Sequence, residues 1–396
     1  MMTNRSRLHV LLCSAAFLLS GPALVWGQQE PYTVYDTKPV LTQGPYLVAT
    51  SDTTATVVWM TDTPSHSKVR YGTANNLSAV VEPQKDGLVP VGTLHVVHLT
   101  GLKPGQTYQY QVVSTRVVKL KPYWPDKGIT TESPVYSFTT LDPRKPKISF
   151  SFITDTHEDI RRINTLLGRI DWSTTDFLVH GGDAFHWIDS EEHLFRNWLE
   201  PTTRALQHRI PLVFARGNHE LRGAFARSLF NYVPTFEDRY YFARDHGPVH
   251  LLVIDSGEDK PDDTNVYAEL NRLKAYREQQ FAWLQEHVRT SRRLAEAPFR
   301  VVVMHQPHWG WVDGQNDKWT ALANKAGVDL VIAGHTHRFA YVKPGERGNN
   351  YHLLIVGQDQ VATVDATGSE LKVVVMASDG KVVESFTLPA KRANRT

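Results

Sequence analysis

The stretch Val328 to Phe339, "VDLVIAGHTHRF", decides how this chain is read. A strand-favouring apolar run, Val328 to Ala333, stops at Gly334, and two histidines one residue apart follow, His335 and His337. One strand ending in two imidazoles proves little. The fold and the chemistry depend on whether other strands end in the same way.

Four others do. "FSFITDTH" (150–157) delivers Asp155 and His157, and "FLVHGGD" (177–183) delivers Asp183. "LVFARGNHE" (212–220) delivers Asn218 and His219, and "RVVVMHQPH" (300–308) delivers His305. Helical stretches separate these runs: "EDIRRINTLLGRI", "SEEHLFRNWLEPTTRALQH", one expected after "PLVFAR", "YAELNRLKAYREQQFAWLQEHVRTS" as the longest, and "KWTALANKAG". Continuous apolar strands between helices predict a sheet covered on both faces. In such sheets ligands bind beyond the carboxyl ends of the strands, so these side chains are expected to converge there. Taken singly, Asp155 or Asp183 reads as a turn residue or helix cap, and His305 as a hydrogen-bonded core histidine. Five strand ends together do not read that way. The tail differs: "YHLLIVG" and "LKVVVMASDGKVVESFTL" read as strands, with a hairpin turn at Asp379-Gly380.

The first part of the chain has another rhythm. From Lys38 to Thr140 it is all strand and turn, with "ATVVWMT" (55–61), "SKVRYGT" (67–73), "LHVVHL" (94–99), "TYQYQVVS" (107–114) and "PVYSFTT" (134–140). "LTGLKPGQTYQYQV" places Tyr108 where a tyrosine corner would lie, which resembles fibronectin type III folds, with Trp59 as a core residue. The segment Arg116 to Ser133 is too long for a tight hairpin, and "LDPRKPK" (141–147) has the composition of a linker.

The expected architecture is therefore an all-β sandwich domain over 38–140, followed by an α/β (α+β) domain over 147–388 with a central β-sandwich flanked by helices. Residues 1–27 have the layout of a secretory signal: Arg5 and Arg7, an apolar core from Val10 to Leu19, and small residues before the cleavage position. The apolar core is too short for a stable membrane span, and a retained anchor is the alternative. The single cysteine, Cys13, lies in this segment, so the mature chain has no disulfide. Cleavage after Gly27 removes two arginines and no acid, which takes the formal charge from +2 to zero. A neutral chain argues against nucleic-acid binding through bulk charge.

The motifs D-x-H (Asp155–His157), G-D (Gly182–Asp183), G-N-H-E (Gly217–Glu220), V-x-x-H (Val302–His305) and G-H-x-H (Gly334–His337) occur in that order. Together they resemble the calcineurin-like metallophosphoesterase signature. The preceding β domain resembles, on strand rhythm and "LTGLKPGQTYQYQV", the N-terminal domain of purple acid phosphatases. The resemblance implies a dinuclear metal site. Asp155, His157 and His337 hold one ion, Asn218, His305 and His335 the other, and Asp183 bridges them. On this reading the two histidines of GHTH serve different metals, and Gly334 lets the backbone turn to aim them. His219 is implied as a catalytic non-ligand that steadies phosphoryl oxygens or protonates the leaving group; its plainer role is to orient a ligand.

One departure is informative. Purple acid phosphatases place a metal-binding tyrosine three residues after the bridging aspartate, where this chain has His186, and they lack the histidine supplied here by His157. The exchange implies a site without tyrosinate and without purple colour. N/O ligands of this kind accept Fe, Zn or Mn. The resemblance further implies that a metal-bound hydroxide attacks a small phosphate ester in a positively charged pocket. Candidate substrate contacts are His186, His308, Trp309, Trp311 and Arg338. The favoured reading is a secreted or periplasmic phosphomonoesterase with no membrane span in the mature chain. The alternatives are a phosphodiesterase or nucleotide hydrolase on the same scaffold, a surface-binding module with a relic metal domain, and a metal scavenger.

Overall fold

The computed structural model describes residues 33–390; the expected signal segment lies outside them. The first domain is built of strands alone: Leu41–Val48, Ala55–Gly72, Ala79–Val81, Gly92–Leu99, Thr107–Lys119, Asp126–Glu132 and Tyr136–Thr139. The two runs expected at 55–61 and 67–73 form one 18-residue strand. Its pairing with Gly92–Leu99 breaks between Met60 and Ser65, around Pro64, which has no N–H to give to a ladder. Trp59 is fully buried, and its indole N–H donates to Ser114 Oγ at 2.9 Å. The Tyr108 hydroxyl accepts the Lys103 N–H at 2.9 Å, closing the corner its sequence position suggests. The 116–133 segment folds as a long, irregular ladder between Thr107–Lys119 and Asp126–Glu132.

The second domain stacks two sheets. One carries Lys147–Ile153, Phe177–His180 and Leu212–Phe214 in parallel, then the antiparallel strands Gln360–Thr367, Glu370–Ala377 and Val382–Pro389. The other carries Val249–Val253, Phe299–Val303, Leu330–Ala333 and His352–Ile355 in parallel, with antiparallel edges Phe242–His246 and Ala340–Val342. Phe150, Phe152 and Val179 meet Leu251, Val303 and Ile332 between the sheets. Helices cover both outer faces. Ile160–Leu167 and the 191–205 helices pack Ile163, Leu166 and Trp198 on one side. Leu273–Thr290 and Asn316–Ala326 pack Phe281, Leu284 and Trp319 on the other. Each such fully buried side chain contributes about 1.5–3 kcal/mol. The expected four-layer arrangement is the one found, and Gly380, at φ 91°, turns the last hairpin.

Two local expectations fail. No α-helix follows Leu212–Phe214; the chain makes only the 3₁₀ turns His219–Leu221 and Ala226–Asn231. Gly223 at φ 94° interrupts the helical backbone between them. The longest helix starts at Leu273 rather than near Tyr267, because Asn265–Tyr267 is a 3₁₀ turn closed by Ala268 in the left-handed region.

The domains are joined by more than the 141–147 segment. Val48 bridges Leu212 in parallel, so the first domain continues the sheet of the second. Across the junction, Tyr46 Oη donates to Tyr232 O at 2.7 Å and Tyr110 Oη to His208 O at 2.6 Å.

Candidate metal centre

The five strand ends meet. Ligand atoms of Asp155, His157 and His337 lie within 4.8 Å of one another, as do those of Asp183, His305 and His335, and those of His157, His186 and His219. The first two groups contain residues that the resemblance assigns to the two ions, without Asn218. His337 Nε2 is 3.4 Å from Asp155 Oδ1, and His157 Nε2 is 4.0 Å from the same oxygen and 3.9 Å from Asp183 Oδ2. His305 Nε2 approaches Asp183 Oδ2 to 3.0 Å, and His335 Nδ1 lies 3.1 Å from Asn218 Oδ1.

Three of the rings are aimed by their other nitrogen. His305 Nδ1 donates to Gly181 O at 2.8 Å, His157 Nδ1 to Phe185 O at 2.9 Å and His219 Nδ1 to His186 O at 2.7 Å. A carbonyl accepts only from an N–H, so in each neutral ring the lone pair is left on Nε2, facing the cluster. Asp155 Oδ2 is held by the His335 N–H and the Thr154 hydroxyl, whereas its Oδ1 is buried without a hydrogen-bond partner. His305 Nε2 is likewise unpartnered: it is close to Asp183 but not aligned for a hydrogen bond. Leaving the buried Asp155 Oδ1 without a partner costs about 1–3 kcal/mol, which a bound cation would offset. The donor set of carboxylate, amide and imidazole therefore fits Fe, Zn or Mn.

The electrostatics agree. Burial lowers His157 and His335 to about 4, which keeps them neutral and ready to ligate. Burial also acts to lower His305, but the adjacent Asp183 overrides it and raises the imidazole to about 10. Burial raises the Asp183 carboxyl, yet His305 outweighs it and holds Asp183 well below the usual carboxylate range. Two carboxylates in one pocket need a positive partner.

The backbone is strained where the site is built. Asp155, His157, Asp183, His335 and His337 have φ of 53°, 44°, 51°, 71° and 60°. This corrects the role expected of Gly334, which is not in the left-handed region; the histidines themselves make the turn. Gly334 serves close approach instead, since a Cβ there would lie 2.3 Å from Thr154 Oγ1 and 2.4 Å from Asp155 Oδ2.

The expected substrate contacts divide. His186 is exposed, with its ring centroid 4.8 Å from that of His157 and 6.1 Å from that of His219. His308 is half-buried, and burial lowers its pKa. Arg338 is exposed. Trp309 must be withdrawn as a substrate contact. It is 2% exposed and packs in the core against Trp319, because the loop folds inward over the Asn316–Ala326 helix. Its neighbour Trp311 is the exposed indole, at 47%.

Three groups near the site escaped the sequence reading. Glu220 is buried and accepts the N–H groups of Asp183, Ala184 and Gly217, clamping two site loops together. Arg222 lies against His219, and Glu258 holds Arg222. The run "VHLLVID" (249–255) carried the same strand-end signal and leads to Glu258.

Comparison with known proteins agrees with this geometry. Residues 148–339 match the Calcineurin-like phosphoesterase family, and residues 42–140 match the Purple acid Phosphatase N-terminal domain. The chain is 24% identical over 335 residues to acid phosphatase type 7 of Mus musculus, covering 74% of this chain and 68% of that protein. It is 25% identical over 272 residues to purple acid phosphatase 21 of Arabidopsis thaliana, covering 64% of this chain and 54% of that one. The fold superposes on a purple acid phosphatase from yellow lupin (Lupinus luteus) seeds with a TM-score of 0.62 at 16% identity, covering 89% of this chain and 74% of that chain. Residues 148–339 thus form a calcineurin-like phosphoesterase domain, with a purple acid phosphatase-type N-terminal domain over residues 42–140 in front of it.

Proposed function

We propose that the protein is an exported, metal-dependent phosphohydrolase that acts as a phosphomonoesterase at a dinuclear site. Asp155, His157, Asp183 and His337 hold one ion, and Asp183, Asn218, His305 and His335 hold the other. The observation that supports this reading most is the convergence of Asp155, His157 and His337, and of Asp183, His305 and His335, into two groups of ligand atoms within 4.8 Å of one another, with Asp155 Oδ1 buried and unpartnered. Bound cations of this kind lower the pKa of a water and neutralise charge on the phosphoryl oxygens.

The chain's own groups do the rest. Asp183 and His305 are fully buried, while the His337 and His219 side chains are 43% and 22% exposed, so a phosphate ester reaches the centre from their side. His219 points Nε2 into the pocket, 3.8 Å from Asp183 Oδ2, with Nδ1 tied to His186 O. With Nδ1 donating to His186 O, Nε2 donates to a phosphoryl or leaving-group oxygen once the ring carries a second proton, a role worth about 10²–10⁴-fold. The names of the mouse and Arabidopsis relatives support a phosphatase. Export is read from residues 1–27; among the described residues no helix is long and apolar enough to cross a membrane.

The test is hydrolysis of an aryl phosphate and of a bis-aryl phosphate by protein loaded with Mn²⁺, Zn²⁺ or iron, with metal analysis of each preparation. Turnover of the monoester, lost in Asp183→Asn, supports the proposal. Preferential turnover of the diester replaces it with a phosphodiesterase. Bound metal with cleavage of neither ester overturns it.

A further inference from the structure

We infer that Arg222 is a positioning residue for His219, locked in place by Glu258 and Asp259 from the loop that follows Val249–Val253. The inference rests on the role given to His219 in the phosphohydrolase reading. Arg222 Nε donates to Glu258 Oε2 at 3.0 Å and Nη2 to Glu258 Oε1 at 2.6 Å, a two-point fork on a carboxylate that is fully buried. Nη2 also reaches Asp259 Oδ1 at 3.2 Å. The remaining nitrogen, Nη1, lies 3.2 Å from His219 Nδ1 and 3.1 Å from its Nε2.

That near-equality shows how the two groups meet. A nitrogen equidistant from both ring nitrogens and lying in the ring plane would collide with Cε1 between them, so Nη1 sits over the imidazole face. Nor is the contact a hydrogen bond to Nδ1, because Nδ1 already donates its proton to His186 O. His219 is therefore fixed at its edge by a carbonyl and on its face by a planar cation, and Nε2 is left directed at the pocket.

The neighbouring backbone is rigid too. Ile188 N donates to Arg222 O at 2.9 Å and Phe225 N to Ile188 O at 2.8 Å. A Cβ on Gly223 would come within 2.3 Å of Ile188 O. These contacts hold the loop without the Arg222 side chain, which is spent instead on the histidine. With Nε and Nη2 taken by carboxylates and Nη1 on the ring, Arg222 has no fork left for phosphate. Lysine cannot replace it, having neither the fork nor the flat face.

The experiment uses metal-loaded full-length protein and a series of aryl phosphates with increasingly poor leaving groups. It compares Arg222→Ala, Arg222→Lys, His219→Ala and the double variant, and measures metal content and inhibition by inorganic phosphate for each. Arg222→Ala is expected to lower kcat about 10-fold, most for the poorest leaving groups. KM, phosphate inhibition and metal content should stay within about twofold. Arg222→Lys should not rescue, and in the His219→Ala background Arg222→Ala should cost nothing more. A rise in KM with kcat intact would make Arg222 a phosphate contact, and multiplicative losses in the double variant would make it independent of His219; either result overturns the inference. If Arg222→Ala does not fold, Glu258→Gln is read in its place against the same outcomes. Histidine ring NMR signals, with His219 assigned from His219→Ala, separate this inference from the activity itself. The His219 signal should be sharp in the parent and broadened in Arg222→Ala even if no ester is hydrolysed, and an unchanged signal refutes the positioning role.

Discussion

His157 Nε2 and His337 Nε2 face each other across 3.0 Å, from loops 180 residues apart. His157 Nδ1 faces Phe185 O, so its Nε2 offers a lone pair there, and a bound cation would take that lone pair together with one from His337. Saturating Zn²⁺ or Mn²⁺ is therefore expected to stabilise the fold, by about 2.7 kcal/mol at a free concentration a hundred times Kd. Chelation should reverse the effect. Asp183→Asn, which weakens the carboxylate shared by both groups, should abolish most of it. Thermal melts with and without metal check this, and a metal-independent Tm would contradict the proposed centre.

The exchange of tyrosine for His186 makes a spectroscopic prediction. The position three residues after Asp183 holds His186 rather than tyrosine, so protein loaded with ferric iron should lack a visible phenolate-to-iron band. His186 already reaches the His157 ring, so His186→Tyr is expected to acquire that band. Absorbance spectra of the two iron-loaded proteins decide it; a purple parent protein would refute the assignment.

Trp309 and Trp311 should behave as opposites. Trp309→Ala opens a hole beside Trp319 and Tyr351, and is expected to cost about 3–5 kcal/mol in urea unfolding. Trp311→Ala removes an exposed indole whose N–H donates to Gln306 Oε1 at 3.3 Å, and should stay within about 0.5 kcal/mol. If Trp311 faces the leaving group, its removal raises KM for aryl esters.

That pair shows where the sequence stops being legible. The candidate ligands could be read because each ends an apolar strand, and parallel strands bring their ends to one edge, so Asp155 and His335 meet without any knowledge of the loops. Trp309 and Trp311 lie in a loop of identical character, and which indole turns inward depends on the Asn316–Ala326 helix packed beneath it. Glu220 was visible as the last letter of G-N-H-E, but its clamp on Asp183 and Ala184 is a contact between loops that no periodicity encodes. Arg222 carries no signal of its own, because its partners Glu258 and Asp259 lie on a separate loop after Val249–Val253. The left-handed backbone of His335 and His337 was misassigned to Gly334 because glycine is the usual carrier of such angles.

Gly334 offers a sharper test of that correction. If it were needed for its turn, Gly334→Ala would strain only the backbone. Because a Cβ there would meet Thr154 Oγ1 and Asp155 Oδ2, the substitution should instead push the Asp155 carboxylate aside. Expected results are a loss of about 1–3 kcal/mol in stability and reduced metal occupancy. Normal metal content in a folded Gly334→Ala protein would restore the turning role.

Acid sensitivity is predicted at the opposite end of the sheet, at Asp176. Its Oδ2 accepts the Ser149 N–H at 3.0 Å and lies 3.2 Å from His246 Nε2, and Lys145 pairs with its Oδ1. His246 Nδ1 accepts the Asp142 N–H, so the ring proton is on Nε2, which lies near the carboxylate without an aligned hydrogen bond. Burial acts to raise the Asp176 pKa, but His246, Lys145 and Ser149 outweigh it, and the value lies below the ordinary one. A carboxyl lowered in the folded state stabilises above its unfolded pKa, near 4, and that contribution disappears as pH falls through the folded value. Asp176→Asn should therefore be less stable than the parent by about 2 kcal/mol at pH 7. Below about pH 4 the two should converge, because the parent alone loses the ionised partner. Urea unfolding of both proteins across that range measures the convergence, and parallel pH profiles would show that Asp176 contributes nothing through its charge.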